Sequence, residues 1–175
     1  MDIEYKIHFF SNWHCGSGLS AGADVDALVV KDSDGLPYVP GRTVKGLLRE
    51  AAEELYGKTD ILNKVFGDKE NTNDTVRTGT AFFSNATIPG GATIVKDGLQ
   101  QYLYQDIATT AIEDDGIAKD HSLRKTQTVV PLTVKGQIQG VPDEAVEILR
   151  RVIKYIKRMG TGRTRGLGRC KIEMT

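Results

Sequence analysis

Two periods of hydrophobicity follow one another twice along this chain, and that double succession restricts the fold more than any other feature. Residues 2–10 alternate: Ile3, Tyr5, Ile7 and Phe9 fall on one face, and Asp2, Glu4, Lys6 and His8 on the other. A period of two is that of a strand with one buried face. From Arg42 to Tyr56 the apolar positions Val44, Leu47, Leu48, Ala51, Ala52 and Leu55 recur at helical spacing instead, until Gly57 stops the pattern. Residues 79–88 read as a second strand, with Phe82 and Phe83 on opposite faces.

The succession then repeats. Residues 128–138 alternate through Val130, Leu132, Val134 and Ile138 as a third strand. Pro142-Asp143-Glu144 opens a helix with the apolar face Ala145, Ile148, Leu149, Val152, Ile156 and Met159, which Gly160 ends. Its acidic residues lie in the first turn and its basic ones in the last, as the helix dipole favours. Residues 166–174 supply a fourth strand, with Cys170, Ile172 and Met174 on one face. Strand-helix-strand, twice, predicts an α+β, ferredoxin-like fold of the RNA-recognition-motif kind, with an insertion in each half. Between the halves, residues 89–127 read as an irregular insertion, with a short helical piece near 99–104 and a polar run over 112–127. Unstructured loops of that length in a compact domain are usually functional or disordered.

The length of 175 residues suits a single domain over 1–175. With 39% apolar and 26% charged residues the chain is neither a disordered tail nor a coiled coil. No apolar run approaches the ~18 residues that a membrane helix needs. The first residues lack a basic region followed by an apolar one, so no secretory signal is expected and the cytoplasm is the expected compartment. Cys15 and Cys170 have no CxxC spacing and read as buried, reduced thiols.

The formal net charge is zero, which excludes a simple cationic nucleic-acid binder, but the charges are segregated. Between Leu149 and Lys171 lie nine basic residues and no acidic one. A locally basic end on a neutral chain suggests a polyanion groove on one face. Within it, residues 160–169 hold four glycines and three arginines (Gly160, Gly162, Gly166, Gly168; Arg163, Arg165, Arg169). Glycines let a backbone approach a ligand and expose successive N–H donors to phosphate oxygens, and arginines add charge-assisted bonds. The plain alternative is a Gly-rich turn with incidental arginines. The stretch is not a Walker motif, because GxxxxGK[ST] is absent. A second segment, Gly35-Leu36-Pro37-Tyr38-Val39-Pro40-Gly41, feeds a helix that carries Arg42, Lys45 and Arg49 as one basic stripe near its N-terminus.

These segments together resemble the RAMP superfamily of CRISPR-associated proteins, and in particular the repeating backbone subunit of type III (Csm/Cmr-type) effector complexes. The residues that carry the resemblance are His14-x-Gly16-Ser17-Gly18, Val25-Asp26 with Lys31-Asp32 behind it, the GLPYVPG turn at 35–41, and Lys45-Gly46-x-x-Arg49. Val65-Phe66-Gly67, Gly79-Thr80-Ala81 and the final Gly-rich loop complete the set. The resemblance covers most of 1–88 and 124–175.

It implies an RRM-like palm with a protruding thumb, for which residues 113–127 are the candidate. It implies guide RNA (crRNA) bound largely through phosphates, by His14, Ser17, Arg42, Lys45, Arg49, Arg124, Lys125, Arg163, Arg165, Arg169 and the glycines 160, 162, 166 and 168. Sequence readout is left to base pairing with target RNA. The partners implied are guide RNA, target RNA and other effector subunits, copies of this chain included, in antiviral defence. The resemblance also implies that an acidic loop residue cleaves target RNA with Mg²⁺ or Mn²⁺; counting back from Lys31-Asp32 gives Asp26 as both catalytic residue and metal ligand, with Asp24 as its neighbour. One carboxylate can orient a hydrated divalent ion or assist deprotonation of a 2′-hydroxyl. On general grounds a loop Asp more often caps a turn. Two other functions stay open: a non-catalytic scaffold or capping subunit, and a free-standing ribonuclease that processes guide precursors. The three histidines, His8, His14 and His121, form no zinc spacing.

Overall fold

The computed structural model describes residues 1–21, 25–68 and 78–174. In chain order the elements are β1 (Ile3–Phe9), α1 (Gly41–Tyr56), α2 (Asp60–Phe66), β2 (Phe82–Phe83), α3 (Gly91–Lys96), a 3-10 turn (Gln100–Leu103), β3 (Tyr104–Thr109), β4 (Arg124–Val129), β5 (Thr133–Gln139), α4 (Asp143–Tyr155), a second 3-10 turn (Arg163–Arg165) and β6 (Cys170–Met174). Four strands form an antiparallel sheet in the order β2-β5-β1-β6. Numbered by their order within the sheet, this is 2-3-1-4, the ferredoxin-like arrangement expected from the double strand-helix-strand pattern.

The alternation in β1 does what its period predicts. Ile3, Tyr5, Ile7 and Phe9 are all buried. Antiparallel registry sets Ile3 opposite Ile138, Ile7 opposite Val134, and Ile7 opposite Ile172 on the other side. On this face pack α1, through Val44, Leu48, Ala51 and Ala52, and α4, through Ala145, Leu149, Val152 and Ile153. The other face carries Glu4, Lys6, His8, Lys135, Gln137, Lys171 and Glu173. His8 is engaged there, with Nδ1 3.0 Å from Thr133 Oγ1 and Nε2 3.4 Å from Glu173.

Four expectations need correction. The strand expected over 128–138 is two strands, divided at Pro131, which has no N–H to continue a ladder. The insertion over 89–127 is irregular only in part, chiefly over 110–123. It holds α3, the first 3-10 turn and a β3–β4 hairpin in full register from Tyr104↔Val129 to Thr109↔Arg124. The strand expected over 79–88 pairs with β5 at Phe82–Phe83, is interrupted, and meets β5 again at Thr87, which exchanges two backbone hydrogen bonds with Lys135 at 2.8 Å each. In the interruption the Ser84 hydroxyl takes the Gln137 N–H at 2.8 Å, and Ala86 turns to bridge Val39. The second helix also ends earlier than expected, at Tyr155, because Lys157 and Met159 leave the helix to bond the approach to β6: Cys170 N–H donates to Lys157 O and Met159 N–H to Gly168 O.

The hairpin is anchored at its root. Trp13 is fully buried, stacked on Phe9 at 4.5 Å, and bridges Val129. The Tyr104 hydroxyl donates to Gly35 O, and Lys31 Nζ lies 3.9 Å from the Tyr104 ring centre. Burial, with Asp32 nearby, pushes the Tyr104 phenol well above its ordinary range, so it stays a donor. No helix among the described residues is long and apolar enough to cross a membrane.

Candidate nucleic-acid interface

The glycine-arginine loop is stitched to the chain leaving β1. Thr161 N–H donates to His14 O at 2.9 Å, Gly168 N–H to Asn12 O at 2.8 Å, and Phe10 N–H to Arg169 O at 2.8 Å. Between these bonds the second 3-10 turn is flanked by Gly162 and Gly166, both with left-handed φ. A side chain at Gly168 would force the backbone to shift: its φ is 68°, and a Cβ would lie 1.8 Å from Met159 O. Loop composition thus becomes a folded arch carrying Arg163, Arg165 and Arg169 on its exposed side.

This arch faces the first turns of α1 across a groove of about 410 Å³. The groove is lined by His14–Gly16 from the first Gly-rich loop, by Arg42, Thr43, Gly46, Leu47 and Glu50 of α1, and by Met159–Thr161 and Arg163. Three segments far apart in sequence, each singled out by its residues, meet here. Of the expected phosphate ligands the groove gathers Arg42, Arg163, Gly160 and His14.

The basic stripe of α1 is divided. Arg42 faces the groove, whereas Lys45 Nζ donates to Thr78 O at 3.2 Å, and Arg49 Nε pairs with Glu53 at 2.7 Å. Partial burial, then the neighbouring Arg49 charge, lowers the Lys45 pKa from its usual value. His14 is only 3% exposed, and its Nδ1 is bonded to Gln127 O at 2.6 Å, so the ring braces the hairpin as well as flooring the groove. The Ser17 hydroxyl bonds within its own loop, to Leu28 O and from Leu19 N–H. Arg124 and Lys125 stand exposed at the start of β4. The groove residues Thr43, Glu50 and Thr161 were not singled out in the sequence, and Gly46 and Leu47 were read as motif and apolar-face positions without a place in a site; a helical wheel begun at Arg42 would have found the four on α1.

Asp26 lies outside this groove, exposed, on a segment that runs beside β4. Its N–H donates to Lys125 O at 2.9 Å and its Oδ2 accepts the Lys125 N–H at 2.7 Å, while Gln127 N–H donates to Ala27 O at 3.0 Å. Asp24 lies outside the described residues. No group of three or more His, Cys, Asp or Glu suited to a metal occurs among the described residues. A single hard carboxylate fits a magnesium-type ion that keeps most of its waters, and does not fit a protein-caged one. Cys15 and Cys170 are buried, free thiols. Burial, and for Cys15 the nearby Cys170, pushes their pKa values up to about 12 and about 11, so neither is a nucleophile near neutrality.

The chain belongs to the RAMP superfamily, whose profile matches residues 6–171. No curated protein matches it. Its fold is similar to that of a chain in a cryo-EM structure of the type III-B Cmr-beta complex bound to cognate target RNA, with a TM-score of 0.80, 11% identity, and coverage of 99% of this chain and 97% of the other. A chain of the apo-state type III-B Cmr-beta cryo-EM structure is also similar, with a TM-score of 0.75, 13% identity, and coverage of 100% and 97%. At these identities the likeness is one of fold: the ferredoxin-like palm is shared.

Proposed function

We propose that this chain is a subunit of a type III CRISPR ribonucleoprotein that holds guide RNA along the groove between α1 and the glycine-arginine arch, and that Asp26 cleaves bound target RNA. The observation that carries the reading is the convergence of His14–Gly16, the start of α1 and residues 159–163 on one groove with Arg42 and Arg163 in its lining. Family membership and the likeness in fold to a chain of a target-bound complex support it. Backbone N–H groups and guanidinium groups bind phosphates without reading bases, which suits a subunit whose guide supplies the sequence information.

For cleavage, the Lys125 backbone fixes one Asp26 oxygen and leaves the residue exposed to a passing strand. Asp26 would hold Mg²⁺ or Mn²⁺, which when bound supplies charge stabilisation at the scissile phosphate. The same Lys125 bond also favours the second reading, a scaffold subunit in which Asp26 only pins its loop to β4. Copies of this chain or other subunits would flank it in either case.

The groove is tested by binding of single-stranded RNA to the purified chain. Replacement of Arg42 by Ala should weaken binding about tenfold, the scale of a lost charge-assisted bond. Undiminished affinity would remove the groove from the interface. Metal-independent cutting of repeat RNA by the isolated chain would instead support the free-standing processing ribonuclease.

A further inference from the structure

We infer that Glu50 is the residue by which the groove distinguishes RNA from DNA, accepting a hydrogen bond from a ribose 2′-hydroxyl. This rests on the reading of the groove as the guide site. Glu50 is exposed and lines the same groove as Arg42 and Arg163. It also lines the smaller pocket that continues along α1 beside Glu54, Tyr155, Arg158 and Arg163. Its acidic neighbours are engaged, Glu53 with Arg49 and Glu54 with the Tyr155 hydroxyl at 2.9 Å. A carboxylate among phosphate-binding cations works against the ligand unless the ligand offers it a donor. A phosphodiester has none. Within a strand the 5′ and 3′ oxygens are esterified, so the 2′-hydroxyl is the one donor of the sugar, and deoxyribose lacks it. Base amino and imino N–H groups are the other donors, but a groove that serves every guide sequence cannot depend on them.

Gly46, one turn before Glu50 on the same groove face, supplies an independent sign that something approaches closely. It sits inside α1, where glycine weakens a helix relative to alanine, yet a Cβ there would meet nothing within 4 Å. No packing requirement excludes a side chain. The space is therefore open to a ligand lying across the helix.

The experiment measures affinity of the purified chain for oligo-U and oligo-A strands and for their 2′-deoxy counterparts. The wild type should favour RNA about tenfold on both sequences, the scale of one hydrogen bond to a charged group. Glu50→Ala should bring the ratio to about one, chiefly by tightening DNA binding as repulsion is relieved. Glu50→Gln, which keeps an acceptor, should retain part of the preference. Gly46→Ala should raise the Tm while weakening RNA binding, an outcome that a misfolded variant cannot produce. An unchanged RNA-to-DNA ratio in Glu50→Ala would overturn the inference, and a preference that follows the base instead of the sugar would overturn it too. If Arg42→Ala leaves RNA binding untouched, the groove itself is wrong; if Arg42→Ala weakens it while Glu50→Ala leaves the RNA-to-DNA ratio unmoved, the groove stands and Glu50 does not.

Discussion

Asp26 and Lys125, 99 positions apart, are joined by two hydrogen bonds: the Asp26 N–H donates to Lys125 O at 2.9 Å, and the Lys125 N–H donates to Asp26 Oδ2 at 2.7 Å. The carboxylate is thus referenced to the backbone of β4. That same strand accepts from or donates to Ala27, Trp13 and, through Gln127 O, the ring of His14. One strand therefore sets the relative positions of the candidate cleavage residue and of the groove floor.

Asp26→Asn keeps an oxygen that can accept the Lys125 N–H and removes the charge. Assembled complexes carrying it should bind guide and target normally and lose target cutting in Mg²⁺ or Mn²⁺ by at least about 10²-fold, the scale of removing a metal-positioning or acid–base group. Asp24→Asn should cut nearly normally. Wild-type rates in both variants would leave the scaffold reading in place.

Arg163 and Arg165 stand on the exposed side of the arch, outside the hydrogen bonds that hold its ends. Their joint replacement by Ala should weaken single-stranded RNA binding about equally for all sequences. It should also flatten the salt dependence by roughly 0.7 per lost phosphate contact. Affinity titrations at several salt concentrations measure both. A sequence-selective loss would mean that the arch reads bases.

Gly166 and Gly168 share a left-handed backbone and differ in surroundings. A Cβ at Gly166 would meet nothing within 4 Å, whereas one at Gly168 would lie 1.8 Å from Met159 O. Gly166→Ala should therefore cost about 1 kcal/mol of backbone strain, and Gly168→Ala several times as much, because the Met159–Gly168 pairing must break as well. Urea denaturation of the two variants gives the ranking; equal losses would refute the clash.

The buried thiols predict an alkaline limit. Both folded pKa values, about 12 for Cys15 and about 11 for Cys170, lie above the ordinary 9.0. A raised folded pKa gives stability that is full below pH 9 and is lost as the pH climbs toward the folded values, since only the unfolded chain can ionise there. The loss should be on the order of 1 kcal/mol per thiol by pH 10. Tyr5, whose phenol burial also raises, adds to it at higher pH. Urea midpoints from pH 7 to 10 should fall for the wild type and fall less for the Cys15→Ala, Cys170→Ala double variant. Parallel curves would assign the alkaline loss elsewhere.

The strongly patterned elements were legible without the structure. The alternation of β1, the helical spacing from Arg42 to Tyr56 and the acidic start of α4 each report a face buried against one core, and local periodicity records such one-sided burial directly. The motif segments of the RAMP superfamily were likewise written in the residues. The β3–β4 hairpin was not. Its strands, Tyr104–Thr109 and Arg124–Val129, grade from exposed at the tip (Thr109, Arg124, Lys125) to buried at the root (Thr128, Val129) instead of alternating face by face, so no period of two marks them, and cross-strand hydrogen bonds with root contacts at Trp13 and Gly35 hold them. Nor could spacing show that Lys45 and Arg49 leave the stripe begun by Arg42, or that His14 is spent on Gln127 O. A side chain's partner is chosen by whatever packs beside it, and here those partners arrive from 4 to 113 positions away. Sequence alone determined the palm and the residue types of its groove; tertiary contact decided which of those residues face it.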